Sequence, residues 1–98
     1  MNYSIHIHPE AEEQLEKMAF YLEEQRNGLG LLFIREFYET LDYLEQYAHS
    51  QPAKRKAFRQ IIIGRFRVLA VYLLNGTQVH IYNIIHTSVH PVKRYRKK

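Results

Sequence analysis

The chain has no cysteine, no acidic residue beyond Glu45, and no apolar run approaching the roughly 20 residues that a bilayer-spanning helix needs. The missing cysteine excludes disulfides and thiolate metal sites, and fits a reducing compartment. The missing apolar run leaves no candidate membrane segment. The N-terminal stretch is polar and acidic, without a basic region followed by an apolar one, so no signal peptide is expected and the predicted place is the cytoplasm. All ten acidic residues lie between Glu10 and Glu45, so residues 1–49, with three basic residues, carry a formal −7. Residues 50–98 carry eleven Lys and Arg, a formal +11. A basic half of this kind suits an acidic partner segment, nucleic acid or the ribosome, or else a solvated basic tail.

With four glycines and three prolines, and no repeat or low-complexity segment, the 98 residues read as one domain spanning 1–98. A domain this small buries roughly 60–65% of its unfolded surface, so its stability is modest. Asn75-Gly76 is the strongest local signal. It separates two runs rich in Val, Leu, Ile and Tyr, Arg65–Leu74 and Thr77–His86. As the central pair of a type I′ turn it predicts a hairpin pairing Leu74 with Thr77, Tyr72 with Val79, Ala70 with Ile81, Phe66 with Ile85 and Arg65 with His86. Alternation then gives one core-like face: Phe66, Val68, Ala70, Tyr72, Val79, Ile81 and Ile85, with Asn83 its only polar member. The other face is mixed and holds Arg65, Arg67, Leu69, Val71, His80, Tyr82, Ile84 and His86. It is the surface on which to look for function.

The remainder is read from periodicity. Residues 2–8 alternate as a strand, with Tyr3, Ile5 and Ile7 on one side. His6 and His8 on the other have metal-ligand spacing but no accompanying Cys or acid, and are read as a solvated strand face; no metal or cofactor is expected. Pro9 opens a helix whose stripe is Ala11, Leu15, Met18, Ala19 and Leu22, closed by Asn27-Gly28. A second helix follows to about Ala48, with Phe33, Phe37, Leu41 and Leu44 as its stripe. The short link makes the two a helical hairpin. A polar connection containing Lys54-Arg55-Lys56 leads to a strand over Phe58–Ile63, and Gly64 turns it into the hairpin. Residues 89–98 have no apolar periodicity and read as a basic mobile tail. The predicted order is β-α-α-β-β-β, an α+β fold with the helical hairpin packed on a mostly antiparallel four-stranded sheet.

This order, together with Pro9-Glu10-Ala11 after the first strand, Leu15 and Tyr21, Gly30-Leu31-Leu32-Phe33, Phe58-Arg59, the block Arg65–Tyr72 and the closing Ile84–Pro91, resembles the ParE/RelE superfamily of toxins from type II toxin–antitoxin systems. In the strand motif, often a basic residue followed by Phe-Pro-Tyr, Arg67 replaces the proline and Val68 the tyrosine. The resemblance implies a toxin of a plasmid-stabilisation-like module, neutralised by a cognate antitoxin through an acidic or amphipathic segment. It leaves two targets, DNA gyrase for ParE-like members and mRNA on the ribosome for RelE-like ones, so whether the chain is an enzyme stays open. A non-toxic nucleic-acid-binding module is a third reading. For RNA cleavage the resemblance carries a phosphate contact to Arg67, while Arg65 and His86 are candidate neighbours. Arg59 falls near a further basic position of those enzymes, but Ile61 stands where a lysine would follow. His86 is equally read as a strand-end residue bonded to Thr87 or Ser88. Tyr82 and Tyr95 are candidate stacking platforms, and Arg94 and Arg96 candidate backbone contacts.

Overall fold

The structure, a computed structural model, describes residues 2–89 and 91–95. Four strands form one sheet: β1 (Ser4–Ile7), β2 (Arg59–Ile62), β3 (Val68–Asn75) and β4 (Gln78–His86), in the order β1-β4-β3-β2. β1 runs parallel to β4, and the other two pairings are antiparallel. Helices α1 (Pro9–Gln25) and α2 (Leu29–Tyr47) pack on one face. The expected fold class and element order are what the structure shows. No helix among the described residues is long and apolar enough to cross a membrane.

Both helical stripes face the sheet as the spacing predicts. Ala11 and Leu15 of α1 and Phe33, Phe37 and Leu44 of α2 are buried against Val68, Ala70, Tyr72, Val79 and Ile81. Met18, Ala19, Leu22 and Leu41 are half-buried at the same core. Burying each large side chain stabilises by roughly 1.5–3 kcal/mol relative to exposure, so this one interface dominates the fold.

The hairpin departs from the predicted register. Asn75 pairs with Gln78, leaving Gly76-Thr77 as the loop, and the pairs beyond are Leu74 with Val79 and Tyr72 with Ile81. Only Gly76 has positive φ (61°), the requirement of a type II′ turn, which spares Asn75 the left-handed conformation that a type I′ turn demands. Between Val71 and Tyr72 the register then shifts again: Val71 pairs with Asn83, Ala70 with Ile84 and Val68 with His86. Tyr82 is the extra residue of a β-bulge, and a bulge reverses which side chains face which way. Ile84 therefore joins the helix-side core, while Ile85 packs on the opposite face with Leu69 and Val71. Their predicted sides are exchanged.

The opposite face has its own apolar cluster, Phe58, Leu69, Val71 and Tyr95. Exposed, it would be a wet apolar patch, and the chain end covers it. Pro91–Arg94 forms a short helix, α3, and the Tyr95 ring stacks on Phe58 with centroids 5.8 Å apart. Over residues 91–95 the expected mobile tail is thus a docked segment; Arg96, Lys97 and Lys98 lie outside the described residues.

The turn gives a direct test. A Cβ at Gly76 would meet no atom within 4 Å, so any penalty comes from φ alone. Gly76→Val is expected to cost about 1 kcal/mol or more in chemical denaturation, because a β-branched residue resists positive φ.

Candidate functional site

Arg59, Arg65, Arg67 and His86 were the expected cationic and proton-transfer groups, and the fold sends them in different directions. Arg59 opens β2, and its Nη1 donates to the His49 carbonyl at 3.0 Å and to that of Gln51. It closes the end of α2 from below. Tyr72 secures the same end, its hydroxyl donating to the Ala48 carbonyl at 2.6 Å, and Tyr3 shares a 2.9 Å bond with His49 Nδ1.

Arg65 lies at the other end of the sheet, in the turn between β2 and β3, where Phe66 N–H bonds the Ile63 carbonyl. The carboxylate of Glu36, 8% exposed, accepts from the Arg65 backbone N–H at 2.9 Å and from its Nε at 3.1 Å. Glu36 reaches the turn only because residue 64 is glycine: a Cβ there would fall 1.8 Å from Glu36 Oε1. A buried carboxylate without such donors would be costly, so Arg65 is first a structural partner of α2.

Arg67 is exposed, and its side chain has no hydrogen-bond or ionic partner among the described residues. Its carbonyl accepts from Thr87 N–H at 2.9 Å. His86 pairs with Val68, so the bulge puts it on the helix side, where it lines a groove of about 510 Å³ with Lys17, Met18, Tyr21 and Val89. Its Nδ1 lies 2.9 Å from Ser88 Oγ and accepts the Ser88 N–H at 3.0 Å, the strand-end arrangement that was the alternative reading.

The other candidates lie on the open face. Tyr82 is half-buried, its ring 4.1 Å from that of His8 and edge-on to Phe58 at 6.2 Å. Tyr95 is 7% exposed and donates to Gln60 Oε1 at 2.9 Å, so its ring serves the core rather than a base. Arg94 folds back, donating to the carbonyls of Val89 at 2.8 Å and Thr87 at 2.6 Å, and its own carbonyl accepts from Asn83. Arg96 is outside the described residues. His6 and His8 prove to have a third histidine beside them: His80 stacks on His6 with centroids 5.0 Å apart and brings Nδ1 within 3.0 Å of His8 Nε2. No three His, Asp or Glu among the described residues stand as a metal-holding group.

Two features are absent from the sequence reading. The role of Glu36 had no sequence signal, since it is one of ten acids on two helices. The bulge had one: Asn83, the single polar residue on an otherwise apolar face. It marks where alternation breaks, and it is held between Gln14 Nε2 at 3.4 Å and the Arg94 carbonyl at 3.0 Å.

Burial pushes the Tyr72 phenol well above its ordinary value of 10.0, with the Arg59 charge opposing. The unfolded chain therefore loses this proton at lower pH than the folded one. The contribution of Tyr72 is complete below pH 10 and declines as pH rises towards the folded value. Alkaline denaturation is expected to show that decline in the wild type and less of it in Tyr72→Phe. The same variant loses about 1 kcal/mol at neutral pH because the Ala48 carbonyl is left unpaired.

The family model for the ParE toxin of the type II toxin–antitoxin system parDE matches residues 5–91. No curated protein sequence matches. Among solved structures, a chain of the chromosomal ParDE toxin–antitoxin system from P. aeruginosa superimposes with a TM-score of 0.72 at 18% identity, covering 86% of this chain and 95% of that one. At that identity the likeness concerns the fold.

Proposed function

The chain belongs to the ParE toxin family of type II toxin–antitoxin systems, and from that membership we propose that it arrests growth by binding DNA gyrase and is silenced by a cognate antitoxin. The observation that carries the binding mode is the dispersal of the cations. Cleavage of RNA needs several charged and proton-transfer groups converging on one phosphate. Here Arg59 opens β2 and is committed to the carbonyls of His49 and Gln51, whereas Arg65 lies in the turn beyond the other end of β2 and is committed to Glu36. His86 is turned to the helix side and bonded to Ser88. Arg67 stands alone.

Toxicity is therefore expected to survive both His86→Ala and Arg67→Lys when each is expressed in growing cells. A ribosome-dependent nuclease would lose most activity with Arg67→Lys, because lysine cannot reproduce a two-pronged guanidinium contact with phosphate. A gyrase supercoiling assay, run beside mapping of mRNA 5′ ends, decides between the two. Inhibited supercoiling without codon-phased cuts supports the proposal, and cuts that vanish in either variant refute it.

The antitoxin proposal rests on charge. Every acidic residue lies on α1 or α2, whereas Lys54, Arg55, Lys56, Arg59, Arg67, Lys93 and Arg94 lie off those helices and have no carboxylate partner among the described residues. An acidic antitoxin segment laid along that basic side is expected to bind less tightly as salt is added. Titration calorimetry over a salt series measures this. Lys54→Glu/Lys56→Glu, two exposed changes, should weaken the complex and flatten its salt dependence.

A further inference from the structure

The outer surface of the two helices is the part of the molecule that the fold leaves unexplained. Of seven large apolar side chains exposed to solvent among the described residues, six are on α1 and α2, led by Phe20 at 76% and Leu31 at 67%. These two, with Ala19 and Ile34, line a shallow depression of about 280 Å³ whose walls are almost wholly apolar. Tyr38, 57% exposed, continues the α2 side one turn beyond Ile34, since 31, 34 and 38 share a helical face. The depression is preformed: the two carboxylate oxygens of Glu23, at its edge, accept the N–H groups of Gly28 and Gly30 at 2.8 and 3.0 Å and so fix the link between the helices.

The rim is acidic. Glu16 and Glu24 stand one turn to either side of Phe20 on α1, and Asp42 stands one turn beyond Tyr38 on α2. All three are exposed, and none has an ion-pair partner among the described residues. Arg35 is the one cation on α2, and Lys17, the one on α1, is paired with Glu13 at 3.0 Å. An apolar centre inside a charged rim is how protein contact surfaces are built. Charge complementarity selects the occupant. Nucleic acid and an acidic antitoxin segment would both be repelled, as would the same face of a second copy.

We infer that the outer face of the α1–α2 hairpin is the docking surface for a basic protein segment carrying an apolar anchor, and that this is how the toxin engages its target. The inference rests on the gyrase reading above, since protein surfaces that track DNA are basic. The depression takes the anchor, and the carboxylates on the rim meet the flanking Lys and Arg. The helix face and the basic strand side then serve two partners of opposite charge.

Two variants test the surface: Phe20→Ser/Leu31→Ser, which empties the apolar centre, and Glu16→Lys/Glu24→Lys/Asp42→Lys, which reverses the rim. Every substituted side chain is exposed, and thermal melts verify folding; Leu31→Ser alone is the milder alternative should the double change unfold. Surface plasmon resonance on immobilised purified gyrase, with a supercoiling assay, is the readout. Each variant is expected to lose about tenfold or more in affinity. The rim variant should also lose salt sensitivity, and antitoxin binding should stay unchanged in both. Wild-type binding to gyrase with both variants equally active overturns the surface while leaving the gyrase reading intact. A wild type that does not bind gyrase overturns that reading and this inference with it. Loss of antitoxin binding in the variants, or wild-type self-association that the variants abolish, assigns the face to another occupant and also overturns it.

Discussion

Strand β4 is bonded on both sides over its first half and on one side over its second, and the molecule is arranged around that change. β1 pairs with Gln78–Ile81 only. Beyond Ile81 the edge of β4 would present unpaired backbone groups, which are costly when buried. Gln14, from the middle of α1, fills the gap: its Oε1 accepts the Ile84 N–H at 2.7 Å while its Nε2 donates to Asn83. The bulge at Tyr82 lies at the junction. It turns Ile84 towards α1 and frees Ile85 for the other face, so both apolar clusters close on the same strand. A straight β4 would put Ile84 in the open face and His86 beside Arg67.

That local choice reaches the site. Had the register run straight, Arg65, Arg67 and His86 would share one face, the precondition for a phosphate-cleaving cluster. With the bulge, His86 goes to the groove under α1, while the turn at Gly64 independently commits Arg65 to Glu36 and Arg67 is left exposed. One extra strand residue thus decides which side of the sheet His86 occupies. Arg65, Arg67 and His86 are present but do not converge, and Ile61 stands where a lysine would follow.

The same sheet converts a linear charge pattern into a spatial one. The acidic half of the chain supplies both helices and the basic half supplies three of the four strands and α3. Because the helices cover only one face, carboxylates collect on one side of the molecule and most unpaired cations off it. Only two ion pairs form among the described residues, and one of these, Arg65 with Glu36, joins the two halves. Charges left unpaired within a small protein remain available to partners, and a domain of marginal stability gains most from binding them.

The sequence by itself determined the four strands and two long helices, the helical stripes, the charge split and the family. The family rests on the order and spacing of motifs and on the family-model match. The elements, stripes and charge split follow from short-range rules: the 3.6 and 2.0 residue periods, proline and glycine punctuation, and composition. Ala11, Leu15, Phe33, Phe37 and Leu44 were legible as core for that reason. Tertiary structure alone decided the hairpin register, the sides of Ile84, Ile85 and His86, the role of Glu36, and the docking of Tyr95. A two-residue turn at Gly76-Thr77 and one at Asn75-Gly76 are both compatible with the local sequence. Because the two registers differ by two residues, both keep Val79 and Ile81 on the helix side, so alternation does not distinguish them. A bulge has no period of its own. It costs little locally, and it persists because two apolar faces and the side chain of Gln14 must be satisfied at once, a condition that exists only when the distant parts of the chain have come together.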